Sequence, residues 1–433
     1  MTLTEAVALA QSNDPTFLAA QANLNVSRER ARQAIAGLLP ELSIAVKSNA
    51  NRRRYNQHTT PPQTDIPMER YNSNSSELNL TQPIWRHNNL IAMTQANLEV
   101  NKADFQLRAA AQDLLVRLAQ SWFDAMQARD GITAAEAQLQ ATQQQFKLAL
   151  SGHEKGVLSQ TELEDIRARK QQAEADRSLA ESDLEIKLAI LEQIVGISAH
   201  TPPYLAAQFA TPVFDAAQLE QWLSQAEANN PALLAALRGL DAANEEIHKQ
   251  QAGHEPTLDL VASYGKYIQE AGLSGGQNGF DYRLGTVGIQ FNIPLYAGGG
   301  QNAKVREALA QRDRAAQELE AARRKARLDT KQAWFTWRAS AVREASTRQA
   351  LQSALLAFNG AQAARSRGVK ADFDVLQAQQ QHETALRDWN KARYDTLISQ
   401  IKLKAACGQL GGADLSRLDA VHEAIPQASL LIR

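Results

Sequence analysis

A few places in this 433-residue chain carry residues whose kind and spacing do chemistry elsewhere. Gly272-Leu273-Ser274-Gly275-Gly276 matches the G-x-S-x-G elbow, which holds a nucleophilic serine on a sharp strand-to-helix turn. Here the pentapeptide lies in a Gly-rich stretch between two strand-like segments, with no helix pattern after it. The elbow geometry is therefore not expected. The eight histidines show no H-x-x-x-H or similar ligand spacing, and His248 and His254 read as surface residues. Gly298-Gly299-Gly300 is not followed by the G-K-[ST] of a phosphate loop and reads as a bend from strand into helix. Cys407 is the single cysteine, which excludes a disulfide framework and a cysteine metal site. It reads as a buried or half-buried helix residue. No enzyme, no metal and no cofactor follow from these residues.

If the side chains carry no reaction, the elements that hold them are the subject. Lys+Arg total 46 and Asp+Glu 47, a balance that excludes a basic nucleic-acid surface. Hydrophobic residues make up 44%, much of it alanine, and the mean hydropathy is −0.40. Such a composition suits long helices packed on one another better than a thick globular core. No run approaches 18 apolar residues, so no transmembrane helix is expected. A β-barrel gives the same hydropathy result, because its strands are short and alternate. A helix pattern starts at Met1 with no signal-peptide pattern, so a barrel reading implies that a leader has been removed.

The chain repeats itself. Residues 3–46 align with 219–262, pairing Asn13-Asp14-Pro15 with Asn229-Asn230-Pro231 and Pro40-Glu41-Leu42 with Pro256-Thr257-Leu258. Pro83-Ile84-Trp85 pairs with Pro294-Leu295-Tyr296. Gln120-Ser121-Trp122-Phe123 pairs with Gln332-Ala333-Trp334-Phe335, Gly156-Val157 with Gly368-Val369, and Gly196 with Gly408. The reading is a first repeat over 1–212, with a helix, strands at 40–55 and 73–85 and a helical hairpin over 87–200. A second repeat spans 213–412, with a helix, strands at 256–268 and 281–297 and a hairpin over 300–410. A tail follows at 413–433. Asp14 and Asn230 read as helix starts, each followed by proline at the first helical position. Pro40 and Pro256 stop those helices and favour extended chain before them.

In the predicted strands Leu42, Ile44 and Val46 alternate with Ser43, Ala45 and Lys47, and Val287, Ile289 and Phe291 alternate with Gly288, Gln290 and Asn292. Period two with one apolar face fits a transmembrane strand of about ten residues. The segments 47–77 and 268–281 are polar and read as loops. Aromatic residues at the strand ends, Trp85 and Tyr296 on one side and Tyr55, Tyr71, Phe280 and Tyr282 on the other, read as the two girdles of a barrel.

From His87 to Leu150 only Gly131 interrupts a helix on the order of 100 Å long. Leu118, Ala125, Ile132, Leu139 and Phe146 recur every seven residues, the period of a left-handed supercoil with a partner helix. The chain resumes as helix from Ser159 to about Val195, and the second copy repeats the pattern. These are antiparallel hairpins with tips at 151–159 and 360–371. A soluble coiled-coil scaffold accounts for the helices and leaves the strands unexplained.

The strings L-L-P-E-L-S at 38–43, L-N-L-T-Q-P-I-W at 78–85, V-G-I-Q-F-N-I-P-L-Y-A-G-G at 287–299 and G-V-K-A-D-F-D-V-L at 368–376 resemble the TolC family of outer-membrane efflux proteins. The resemblance covers nearly the whole chain. It implies an α+β membrane protein: long coiled-coil helices in a periplasmic α-barrel, and four strands per protomer in a trimeric twelve-stranded β-barrel. Closure gives an independent reason for an oligomer, since four strands cannot close a membrane barrel and open edges in lipid are costly. The implied function is a passive channel-tunnel for type I secretion or multidrug efflux. Its implied partners are a periplasmic adaptor, an inner-membrane ABC or proton-driven transporter reached through it, and outer-membrane lipid. With no cysteine near Met1, the chain does not resemble the lipidated drug-efflux branch. Little follows Gly412, which implies a trimmed equatorial region.

The resemblance also implies site residues. Gly156, Val157, Leu158 and Ser159, with Gly368, Val369 and Ala371, stand where the family docks adaptor hairpins. Asp374 matches an acidic position lining the periplasmic entrance, with Asp372 nearby; the family's second acidic position is Gln377 here. Arg365, Lys370 and Glu162 fall where polar links hold the gate.

Overall fold

The computed structural model describes residues 2–54, 68–198, 216–272 and 278–419. Tyr55, the serine of the 272–276 pentapeptide and the tail beyond 419 lie outside them. In chain order the elements are α1 (Leu3–Asn13), α2 (Pro15–Ala36), β1 (Glu41–Arg53), β2 (Glu69–Trp85), α3 (His87–Glu154), α4 (Gln160–Val195), α5 (Ala216–Asn229), α6 (Pro231–Gln251), β3 (Thr257–Gln269), β4 (Phe280–Asn292), α7 (Gly300–Ser366), α8 (Asp372–Ala406) and α9 (Gly412–Asp419). Gly131 does not interrupt α3. The chain divides into two compact units, one of Met1–Asn23, Asp104–Ala235 and Leu319–Arg433, the other of Leu24–Ala103 and Ala236–Glu318.

In the first unit α3 supplies Leu114, Leu118, Trp122, Phe123 and Met126 to a core shared with α1, α4, α8 and α9. Trp334 and Trp337 of α7 meet Leu403 of α8, Ala226 of α5 and Cys407. Cys407 is buried at the end of α8, as expected, and burial pushes its thiol up to about 11. Specific contacts order the four long helices. Arg177 of α4 reaches Glu136 of α3, Tyr394 of α8 donates to Asp130 of α3, and Trp389 of α8 donates to Glu344 of α7. The row is α4, α3, α8, α7, with α4 and α7 at its ends.

Equivalent residues of the two copies make equivalent bonds at the helix junctions. Asp14 N–H closes α1 on Ala10, and its carboxylate accepts from Phe17 N–H at 2.8 Å to open α2. Asn230 N–H closes α5 on Ala226, and its amide oxygen accepts from Leu233 N–H at 3.0 Å to open α6. Burial would raise the Asp14 carboxyl, but bonds from Arg117, Thr16 and Phe17 hold it down at about 2. The long helices α4 and α8 end beside these junctions on Gly196 and Gly408, with φ of 80° and 73°. A Cβ on Gly408 would stand 2.2 Å from the Asn229 carbonyl. Gly408→Ala is therefore expected to cost about 3–5 kcal/mol, left-handed strain adding to overpacking against backbone. Gly156→Ala, with open space around its Cβ, is expected to cost ~1 kcal/mol. Urea midpoints of the two variants in detergent check this; equal midpoints would contradict it.

In the second unit the four strands form one antiparallel sheet in the order β1-β2-β3-β4. The strands depart from the expected limits. β2 begins at Glu69, inside the segment read as loop, because Glu69–Asn72 find partners in Asn51–Arg53 and Ala50. β4 stops at Asn292, short of 297, because β3 offers no partner before Thr257 and Pro294 has no N–H to give. The base of the sheet is fixed by the bidentate pair of Arg86 on Asp259, at 2.8 and 2.7 Å, and by Gln82 on the Leu38 carbonyl at 3.0 Å. Gly298 and Gly299, both at positive φ, turn the chain into α7.

Candidate functional site

Both hairpin tips end their first helix in the same way. Gly156 N–H bonds the His153 carbonyl and Val157 N–H the Gly152 carbonyl; Gly368 N–H bonds Arg365 and Val369 N–H bonds Ala364. This is the Schellman arrangement, with glycine in the left-handed position; φ is 73° at both. In that motif the residue after the glycine commonly packs back on the helix. Here Val157 and Val369 are 81% and 77% exposed. Two valines thus stand out in solvent on matching turns.

The second helices start differently. At Ser159 a full capping box forms: its hydroxyl accepts from Glu162 N–H, and Glu162 Oε2 accepts from Ser159 N–H at 3.0 Å and Oγ at 2.8 Å. Those bonds hold the Glu162 carboxyl below its usual range. His153 Nδ1 also lies 3.0 Å from the Leu158 carbonyl. At Ala371 there is no hydroxyl, and only the return bond exists, with Asp374 Oδ2 accepting from Ala371 N–H at 3.1 Å. Asp374 is half-buried, Arg365 and Lys370 are exposed, and Asp372 is the first residue of α8. Within one protomer Glu162 is engaged with Ser159.

A buried polar cluster went unread in the sequence. Asp130 accepts from Tyr394 Oη at 2.8 Å, and Glu344 accepts from Trp389 Nε1 at 3.0 Å and Arg348 at 2.6 Å. Burial pushes the Asp130 carboxyl and the Tyr394 hydroxyl up, and the Arg393 guanidinium down. The signal was available: Glu344 continues the seam of Ala326, Thr330, Trp337 and Ala341, a charge at a core position.

The sheet has two unlike faces. Register places Leu42, Ile44 and Val46 with Leu78, Leu80, Leu260, Ala262, Val287, Ile289 and Phe291 on one face. That face is bare, with Ile44 72% and Val287 79% exposed. The other carries Ser43, Asn79, Thr81, Ser263, Thr286 and Gln290, with Ser263 and Thr286 hydroxyls 2.7 Å apart. A bulge between Pro83 and Trp85 returns Trp85 to the apolar face opposite Leu258. The expected second girdle is corrected: Tyr71, Phe280 and Tyr282 share the polar face, because side chains alternate strictly and Tyr282 is an odd number of residues from Val287. Tyr296 lies beyond β4.

The model of the outer membrane efflux protein family matches residues 6–197 and 222–409. The proteases secretion protein PrtF of Dickeya chrysanthemi is 28% identical over 429 residues, covering 98% of this chain and 92% of that protein. The outer membrane protein TolC of Vibrio cholerae is 26% identical, covering 95% and 91%. Among solved structures, the Campylobacter jejuni CmeC outer membrane channel aligns with a TM-score of 0.76 at 15% identity, covering 99% of this chain and 90% of that one.

Proposed function

Because the chain belongs to the outer membrane efflux protein family, we propose that it is a passive outer-membrane channel-tunnel for type I secretion or efflux. The carrying observation is the four-stranded sheet, with a bare apolar face and, among the described residues, two unpaired edges, β1 and β4. In lipid the apolar face is at home and the open edges are not. Three protomers, β4 of each paired with β1 of the next, supply twelve strands and close the barrel.

The helix row supports the same ring. Its end helices carry exposed apolar residues at heptad-like spacing: Leu179, Ile186 and Ile190 on α4, and Leu328, Phe335, Val342 and Leu356 on α7. Their charges are opposite. α4 has nine acidic and five basic residues, and α7 from residue 319 has three acidic and nine basic. Each α4 then meets the neighbour's α7, as in helices whose flanking charges choose the partner.

In this reading 1–212 and 213–412 act as two repeats, each with one periplasmic hairpin. Val157, Leu158 and Val369 seat the hairpins of a periplasmic adaptor, which connects to an inner-membrane ABC or proton-driven transporter. Asp374, with Asp372, rings the entrance, and Arg365, Lys370 and Glu162 hold the gate between neighbours. The test is fractionation of the native protein followed by cross-linking. Recovery in outer membranes as a trimer that needs detergent is expected; an extended monomer in the aqueous fraction would end the channel reading.

A further inference from the structure

On the polar face of the sheet, at the end where β1 joins β2 and β3 joins β4, three rings form a ladder. Tyr267 stacks on Tyr282 with centroids 5.1 Å apart and planes 21° from parallel, and Tyr282 meets Phe280 at 5.3 Å. The ladder is built into the sheet. Tyr267 opposes Tyr282 in register, and its ring lies over Gly265, where a Cβ would come within 2.9 Å of it. Glu77, opposite Gly265 on β2, shares the face and the neighbourhood of the Tyr267 hydroxyl. Phe280 and Tyr282 remain 42% and 45% exposed.

Hydropathy is inverted at this level. On the apolar face the adjacent rungs carry Lys266 opposite Arg283 and Ile268 opposite Asp281, three charged residues and one aliphatic. Rings that anchored the sheet in the lipid interface would lie on the face that carries Val287 and Ile289. These rings face the other way, into the lumen if the barrel closes as proposed above, a reading on which this inference rests.

We infer that the ladder, with Glu77, is a binding site for aromatic organic cations inside the exit of the channel. Aromatic faces attract flat rings by offset stacking and cations by their quadrupole. Glu77 adds negative charge beneath the first ring, and Lys47 stands on the same face two strands away, on the rung of Tyr267. A trimer repeats the ladder three times around one axis, so a passing solute is offered three equivalent sites.

The test is single-channel recording in a planar bilayer, with blocker added on the side of the strand loops. N-methylquinolinium is the aromatic cation and tetraethylammonium the aliphatic one. N-methylquinolinium is expected to interrupt the current, with a dwell time shortened roughly 5–10-fold in Tyr282→Leu, since one aromatic contact accounts for about 2–12-fold in binding. Tyr282→Phe is expected to keep the parent dwell time, and Phe280→Leu serves if Tyr282→Leu does not insert. Equal block by tetraethylammonium, or an unchanged dwell time in both leucine variants, would overturn the site. A parent chain that opens no channels would overturn the channel reading instead.

Discussion

A chain with valine in place of Gly368, and likewise of Gly156, is expected to fold, trimerise and insert, and to export roughly a hundredfold less cargo than the parent. The backbone at both glycines is left-handed, a region that a β-branched residue enters only at a cost of about 1–2 kcal/mol. Among the described residues, no atom beyond the glycine's own chain neighbours lies within 4 Å of the Cβ position, so the strain has no neighbour to push and stays in the turn. The turn relieves it by giving up the two bonds that hold Val369, or Val157, out in solvent. A docking residue moved by even a few ångströms loses its seat, and a hundredfold loss corresponds to ~3 kcal/mol. Export assays in cells, with trimer content measured in the same membranes, decide the matter. Normal export from both variants would mean that the tips seat no partner.

The second large effect is expected at the entrance. Asp374→Asn removes a charge yet keeps an oxygen to accept from Ala371 N–H, so the start of α8 survives. In a trimer three carboxylates surround one axis. At a separation of ~8 Å each pair repels by roughly 0.5 kcal/mol in water and ~2 kcal/mol at an effective dielectric of 20. The same field concentrates cations and holds multivalent ones, as acidic rings do in other pores. The parent channel is expected to prefer cations and to be blocked by a multivalent cation from the periplasmic side. Asp374→Asn is expected to raise the blocking concentration about tenfold or more, close to 1.4 kcal/mol, and removal of Asp372 to raise it less. Conductance and reversal potential in a planar bilayer measure both. A parent without cation preference, or a variant blocked at the parent's concentration, would return Asp374 to an ordinary capping role.

The fold was largely open to reading because its punctuation is local. Pro15 and Pro231 begin helices, Pro40 and Pro256 precede strands, and Gly156 and Gly368 close the first arm of each hairpin; a short window shows each. Strand limits were less open, since β2 extends to Glu69 only because β1 is there to pair with it. The face of an aromatic residue was half open. Counting from Val287 places Tyr282, but Tyr71 belongs to another strand and needs the register. The buried cluster around Glu344 was half open: a charge on the α7 seam with Arg348 four residues on shows in a short window, but its partner Trp389 belongs to α8 and is brought to it only by packing.

The two tips share a fold but not a cap: Ser159 and Glu162 bind each other from both sides, whereas Ala371 receives only the Asp374 carboxylate. A ring of three chains therefore has six hairpin ends of two alternating grades, three firmly tied and three more loosely. Its rotational symmetry is threefold, although its outline repeats six times. An adaptor presenting six identical hairpins would meet two classes of seat. Saturation would then come in two steps of three, the loosely tied set being the one capped by Asp374 alone.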